Sequence, residues 1–135
     1  MELSVQGDVE QLALDAISAG FALIPEVSSV PASTKIKVVS GVTADEFVRV
    51  WASNLFQETL VTDAPTLTVE GWARTEVRAQ RIMALAVAVL REQEGALFGV
   101  SQIGGVGNNP HPDYPSHFRY SALVEARVRA SFLTI

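Results

Sequence analysis

Residues 118–132, with the sequence FRYSALVEARVRASF, decide the fold of this chain. One face of the segment is apolar or aromatic: Phe118, Tyr120, Ala122, Val124, Ala126, Val128, Ala130 and Phe132. The other face carries Arg119, Ser121, Leu123, Glu125, Arg127, Arg129 and Ser131. Alternation of the two faces over the whole of residues 118–132 predicts an antiparallel strand, with one face in the core and the other toward water or a partner.

Four shorter strand candidates precede it: 35–38, 47–51, 66–70 and 97–103. Ser40 and Gly41 are expected to end the first candidate. Segment 53–65, which ends at Pro65, and segment 104–115, with three glycines and three prolines, are predicted to be long loops.

A first helix is predicted over residues 8–20, because apolar residues recur there at three- and four-residue spacing. Asp8 is expected to cap it, with Gln11 at the reciprocal capping-box position. Gly20 is expected to end it in the left-handed conformation. Residues 22–34 form a connector rich in proline and serine.

A longer helix is predicted over residues 75–94, with Thr75 as its N-cap and Gly95 as its end. The segment 82–90 is apolar on nearly all sides, so this helix is expected to lie buried against a sheet or between subunits.

These elements predict an α+β fold with the order α-β-β-β-α-β-β. We expect a mixed, largely antiparallel sheet of about five strands with two main helices packed on one face. Residues 1–135 form a single domain in this interpretation. It comprises an acidic helix and connector (1–34) and the sheet with the long helix (35–132).

Composition excludes several classes of function. The chain has no cysteine, which excludes disulfides, thiolate metal sites and cysteine nucleophiles. Its net charge is −5, and residues 1–34 hold five acids and no base. A nucleic-acid-binding protein would carry a basic stripe instead. The longest apolar run, 82–90, is too short to span a bilayer, so no membrane association is expected.

The strand pattern places both tryptophans on one face of the sheet. If the valine-bearing face meets the helices, the opposite face carries Phe47, Arg49, Trp51, Thr68, Glu70, Trp72 and Leu123. Aromatic and arginine side chains there are typical of an interface core. The alternative is that loop 53–65 folds over them.

No catalytic site is predicted from the sequence motifs. Gly104 and Gly105 lack the lysine and the following helix that a phosphate loop requires. His111, Asp113 and His117 lie in a proline-rich loop and are interpreted as exposed loop residues rather than metal ligands. No cofactor, metal or enzymatic activity is therefore expected. For Arg78 and Arg81 two interpretations stay open, a solvated stripe or contact with a neighbouring subunit.

Several segments together resemble the tail-terminator proteins of long-tailed (siphovirus-type) bacteriophages, closest to the actinobacteriophage kind. They are Phe47-Val48-Arg49-Val50, the stretch 60–73 ending Gly71-Trp72-Ala73, Arg78-Ala79-Gln80-Arg81, the Gly104-Gly105 loop with Pro110, Pro112, Asp113 and Pro115, and the strand from Arg119-Tyr120 to Arg127-Val128-Arg129. The resemblance covers about residues 35–130 and lies in the order and spacing of these segments.

The resemblance implies a structural protein without catalysis. Tail terminators form a ring, typically a hexamer, that caps the head-proximal end of the tail tube, stops its polymerisation and provides the head-joining surface. The implied partners are further copies of the chain, the tail-tube protein and the head–tail connector. DNA would only pass through the lumen. The implied location is the tail or neck of the virion, assembled in the cytoplasm of the bacterial host.

The candidate interface residues are Phe47, Arg49, Trp51, Trp72, Arg78, Arg81 and Leu123, with Asn108, His111, Asp113 and Tyr114 from the loop. Two other functions remain open. One is a different connector, neck or tail-tube ring protein of the same virion. The other is a small-molecule-binding or enzymatic domain.

Overall fold

A computed structural model of the protein describes residues 1–5, 8–39, 41–53, 62–108 and 111–134. Its elements in chain order are β1 (Glu2–Val5), α1 (Val9–Ala22), a 3₁₀ turn (Pro25–Val27), β2 (Ala32–Ser33), β3 (Val38–Val39), β4 (Val42–Thr43), β5 (Phe47–Ser53), β6 (Thr62–Asp63), β7 (Thr66–Ala73), α2 (Glu76–Arg91), β8 (Leu97–Asn108), β9 (Phe118–Arg129) and β10 (Ser131–Thr134). The predicted fold class, a mixed and largely antiparallel sheet with two helices, is confirmed.

The main sheet has six strands, and β9 pairs with three of the others. One edge of β9 pairs with β7 and, near its C-terminal end, with the short β6. Its other edge pairs with β8. β7 pairs with β5, and β2 runs parallel to β5 at the far edge of the sheet.

The core lies between one face of this sheet and the two helices. The valines and alanines predicted to face the helices are buried there: Val48, Val50, Val69, Ala122, Val124, Ala126 and Val128. Helix α2 contributes Ala79, Ile82, Met83, Ala86, Val87 and Leu90. Gly71 lets α2 lie directly on β7, because a Cβ at this position would be 2.3 Å from the carbonyl oxygen of Ala79.

The start of α2 was predicted correctly and its end was not. The Thr75 side chain accepts a hydrogen bond from the backbone N–H of Arg78 at 3.3 Å, as expected of an N-cap. The helix ends at Arg91 with Glu92 as its C-cap in the right-handed conformation, so Gly95 does not close it. The backbone N–H groups of Glu92 and Gln93 donate to the carbonyl oxygens of Val89 and Leu90, both at 3.2 Å, and Glu92 is not left-handed.

Asp8 caps α1 as predicted, accepting from the backbone N–H of Gln11 at 3.1 Å. The Gln11 side chain instead donates to Asp15 at 2.7 Å. The prediction that Gly20 ends the helix is wrong, since α1 continues to Ala22. Gly20 serves helix packing: a Cβ there would lie 2.6 Å from Cγ1 of Val89 on α2.

The strand predicted over 35–38 is not part of the main sheet. The edge position beside β5 belongs to β2, and the Ser33 hydroxyl then accepts from the backbone N–H of Lys35 at 3.1 Å, which turns the chain away. Val38 belongs to β3, which pairs only with β4 in a small ribbon. Ser40 and most of loop 53–65 lie outside the described residues.

Two further strand boundaries differ from the prediction. β8 continues to Asn108, so residues 104–108 are strand rather than loop. Positive φ angles at Gly99, Gly104 and Gly105 accompany register shifts that keep the strand paired with β9. The last strand stops at Arg129, and β10 pairs with β1 in a separate two-stranded ribbon.

Candidate interaction surface

The sheet face that points away from the helices is here called the outer face. Alternating residues of β5, β7 and β9 build it in rows set by the strand register. The first row is Phe47–Trp72–Arg119, the second Arg49–Glu70–Ser121 and the third Trp51–Thr68–Leu123. The prediction that both tryptophans share this face is therefore confirmed.

The first row is covered by residues 111–117. Trp72 stacks on Phe47 with ring centroids 5.0 Å apart. The Tyr114 ring meets Trp72 edge-on at 5.7 Å, and His111 and His117 lie at 5.9 and 6.1 Å. Phe47 and Trp72 are consequently 0% exposed. The prediction that Phe47 and Trp72 lie at an interface open to a partner is wrong for this chain, because residues 111–117 cover them.

His117 is buried, contrary to the interpretation of this loop as exposed. Its Nε2 lies 2.8 Å from the backbone oxygen of Ala44. The histidine therefore holds residues 111–117 against the segment before β5. Across the described parts of the chain, no group of three or more His, Asp or Glu side chains could hold a metal ion.

The remaining loop candidates are Asn108, at the end of β8, and Asp113 and Tyr114, within residues 111–117. Asn108 is exposed at the end of β8, opposite Tyr120. Asp113 is exposed, and its backbone N–H donates to Nδ1 of His111 at 3.1 Å. Tyr114 is half-buried against Trp72, so only part of this side chain is available to a partner.

The second row contains a buried carboxylate that the sequence analysis did not single out as functional. Glu70 is 1% exposed and accepts a hydrogen bond from Nε1 of Trp72 at 3.1 Å. Its two oxygens also lie 3.7 Å from Arg49 and 3.5 Å from Arg119. This network joins three strands and is satisfied on both carboxylate oxygens, so it holds the outer face in one arrangement.

The third row forms the open part of the outer face. Trp51 is half-buried, and the Arg49 guanidinium lies 4.4 Å above its ring. Leu123 is 37% exposed, and Ile103 on the neighbouring strand β8 is 52% exposed. Gly105 leaves room for Leu123, because a Cβ on this glycine would lie 2.9 Å from Cγ of Leu123. This part combines apolar and cationic groups, as the cores of protein interfaces do.

Arg78 and Arg81 lie on α2, away from the outer face. Arg78 pairs with Glu46 at 2.6 Å and donates to the backbone oxygen of Glu26. Arg81 pairs with the Glu26 carboxylate at 2.7 Å. The hydrogen bond from Arg81 to Glu26 holds the pKa of Glu26 below its ordinary value. The hydrogen bond from Arg78 to Glu46 raises the pKa of Arg78. The structure thus separates these two arginines from the tryptophan-bearing strands.

Two shallow grooves lie beside α2 in the described part of the chain. One of about 370 Å³ runs between α2 and β8, lined by Met83, Ala84, Val87 and Ala88 with polar residues at its rim. A second, of about 290 Å³, continues past Val77 and Ala84. Neither groove has an acid–base pair that could carry out a reaction.

The pairing register of the strands, rather than the alternation of residues along each strand, shows which side chains of the candidate surface lie together. Alternation alone places Glu70 on the same face as Trp72, and this was visible in the sequence. Its position between Arg49 and Arg119 depends on strand order, which the sequence does not specify.

None of the helices in the described ranges is long and apolar enough to cross a membrane.

Comparison with models of known protein families gives no match to this chain, and comparison with curated protein sequences also gives none.

Proposed function

We propose that the protein is a tail terminator of a long-tailed bacteriophage. In this role its copies form a ring, with six as the expected number, on the head-proximal end of the tail tube. The ring stops addition of tube subunits and presents a surface to the connector proteins of the filled head. The protein acts through binding surfaces and carries out no reaction.

The open part of the outer face is the observation that carries the proposal. Leu123 and Ile103 are exposed there, and the half-buried Trp51 lies in the same row as Leu123, with Thr68 between them. Exposed apolar side chains next to arginine favour a contact with protein. A ring needs such a surface on every copy.

The sequence resemblance supports the more specific assignment. Three of the segments that carry it lie in β5, β7 and β9, which build the outer face, and the others lie in α2 and in residues 104–115. The resemblance and the surface therefore overlap on these three strands. The buried Glu70 network gives this surface a fixed shape, which a ring with one geometry requires.

Deletion of the gene from the phage that encodes it tests the proposal. Negative-stain microscopy should show tubes of excessive and variable length that do not join heads, and a plasmid-borne copy of the chain should restore normal particles. Tails of normal length with detached heads would contradict a terminator and favour a connector. Unaffected particles would contradict any function in the tail or neck.

A further inference from the structure

We propose that the exposed stripe of α1 in one copy docks on the open part of the outer face in the next copy. The stripe consists of Asp8, Asp15, Ala19 and Leu23, all exposed. This inference rests on the proposed function, since it identifies the contact between neighbours in the ring. It assigns a role to the acidic first quarter of the chain, which the resemblance to tail terminators does not cover.

The two surfaces have opposite charge. The outer-face residues of β5, β7 and β9 include four arginines and two glutamates: Arg49, Arg119, Arg127, Arg129, Glu70 and Glu125. Residues 8–34 contain four acids and no base. Attraction between such surfaces orients two copies as they approach each other.

Two of the four acids contact distant parts of the chain. Glu26 pairs with Arg81, and Glu10 accepts a hydrogen bond from the backbone N–H of Ala52 at 3.1 Å. Asp8 and Asp15 accept hydrogen bonds from Gln11 at the start of α1 and form no ion pair with any residue that the structure describes. They are therefore the acids of this helix that a neighbouring copy can reach.

An apolar contact accompanies the charges. Leu23, which caps the C-terminus of α1, is 84% exposed, the highest value among the large apolar residues described. Leu123 and Ile103 are the exposed apolar residues on and beside the outer face. Removal of these side chains from water would stabilise the contact.

The spacing on the two surfaces agrees. At the helical rise, Asp15 and Leu23 are about 12 Å apart along α1. At the strand rise, Arg127 and Leu123 are about 13 Å apart along β9. Leu23 can therefore lie against Leu123 while Asp15 lies beside Arg127.

The stripe and the outer face point in opposite directions. α1 packs on the helix side of the sheet through Val9, Ala13, Ile17 and Phe21, and its stripe faces away from them. One molecule cannot satisfy both surfaces itself. Each copy must use its stripe on one neighbour and its outer face on the other, which gives a head-to-tail interface that can close into a ring.

The flank of α2 is a less suitable partner for the outer face. Arg78 and Arg81 each pair with a glutamate, Glu46 and Glu26, so these pairs offer no net negative charge to the arginines of the outer face. The acidic stripe of α1 provides the opposite sign.

Cysteine cross-linking tests the contact, because the natural chain has no cysteine. A tagged Leu23→Cys copy is mixed with an untagged Leu123→Cys copy and oxidised over a series of protein concentrations. We expect a disulfide-linked heterodimer, identified by its mass. The matched control replaces Leu23→Cys with Val77→Cys, since Val77 is 78% exposed on α2. The control mixture should not give the heterodimer.

Charge reversal adds a second readout. Asp15→Lys in the Leu23→Cys copy should abolish the heterodimer, and Arg127→Glu in the Leu123→Cys copy should restore it. Equal cross-linking of the Leu23 and Val77 variants would overturn the proposed contact, and so would loss without restoration. The gene deletion is independent of this result. Overlong tails without the cross-link refute only the contact, and the cross-link with unaffected particles refutes only the terminator.

Discussion

Replacement of Glu70 by alanine removes the acidic group that lies between Arg49 and Arg119 on the outer face. Both guanidiniums would lose a counter-charge at 3.7 and 3.5 Å, and the buried indole N–H of Trp72 would lose its acceptor at 3.1 Å. Removal of one partner from a buried ion pair costs about 3–5 kcal/mol in free energy of unfolding.

The expected magnitude is at the lower end of that range. The Arg49 side chain is 26% exposed, so water replaces part of the lost interaction. We therefore expect Glu70→Ala to lower the free energy of unfolding by about 3 kcal/mol. In a domain of this size the melting temperature should fall by about 12 °C.

Urea unfolding followed by tryptophan fluorescence measures this change. Glu125→Ala is the matched control, because Glu125 lies on the same face and pairs with Arg127 at 3.5 Å, but its side chain is 39% exposed. An exposed pair contributes about 0–1 kcal/mol. Glu70→Gln removes the charge but keeps an oxygen acceptor for Trp72. It therefore measures the loss of the ion pairs without the loss of this hydrogen bond. The reasoning is refuted if Glu70→Ala destabilises the protein no more than Glu125→Ala.

Two further predictions concern packing and pH. Gly71→Ala should destabilise the protein by several kcal/mol, because its Cβ would lie 2.3 Å from the backbone oxygen of Ala79. The control Gly107→Ala has no atom within 4 Å of its Cβ and should change the free energy of unfolding by about 0.5 kcal/mol or less. Equal effects of the two substitutions in urea unfolding would contradict the close approach of α2 to β7. The hydrogen bond from Arg81 holds the pKa of Glu26 below its ordinary value of 4.5, so this ion pair should stabilise the fold above that pH and lose its effect as the pH falls through the lowered pKa. An NMR titration should show the pKa of Glu26 rising toward 4.5 in Arg81→Gln, and an unchanged pKa would show that Arg81 does not cause the shift.

Local patterns predicted the elements whose signals lie within a few residues. The alternation in 118–132 identified β9 and its buried face, and Thr75 identified the start of α2. Gly20 was assigned to a helix end because glycine at a helix end and glycine at a helix contact look alike in sequence, whereas Gly95 lies between the C-cap of α2 and the start of β8. Only the position of Val89 against Gly20 distinguishes the two roles.

The candidate surface was predictable only in part. Alternation assigned Phe47, Trp51 and Trp72 to one face, but it could not show which segment covers that face. The cover comes from residues after β8, through His117 and Tyr114, and therefore depends on contacts between distant parts of the chain. The β2 edge was missed because two residues are too few to show a period.

The proposed function requires a particular position of the protein in the phage particle. Purified phage tails that carry an epitope-tagged copy of the chain can be labelled with gold-conjugated antibody and examined by negative-stain microscopy. The account predicts label at one end of each tube, the end that joins the head, and none along its length. Label along the tube would identify a tube subunit, label at the distal end would place the protein in the tail tip, and either result would contradict the account.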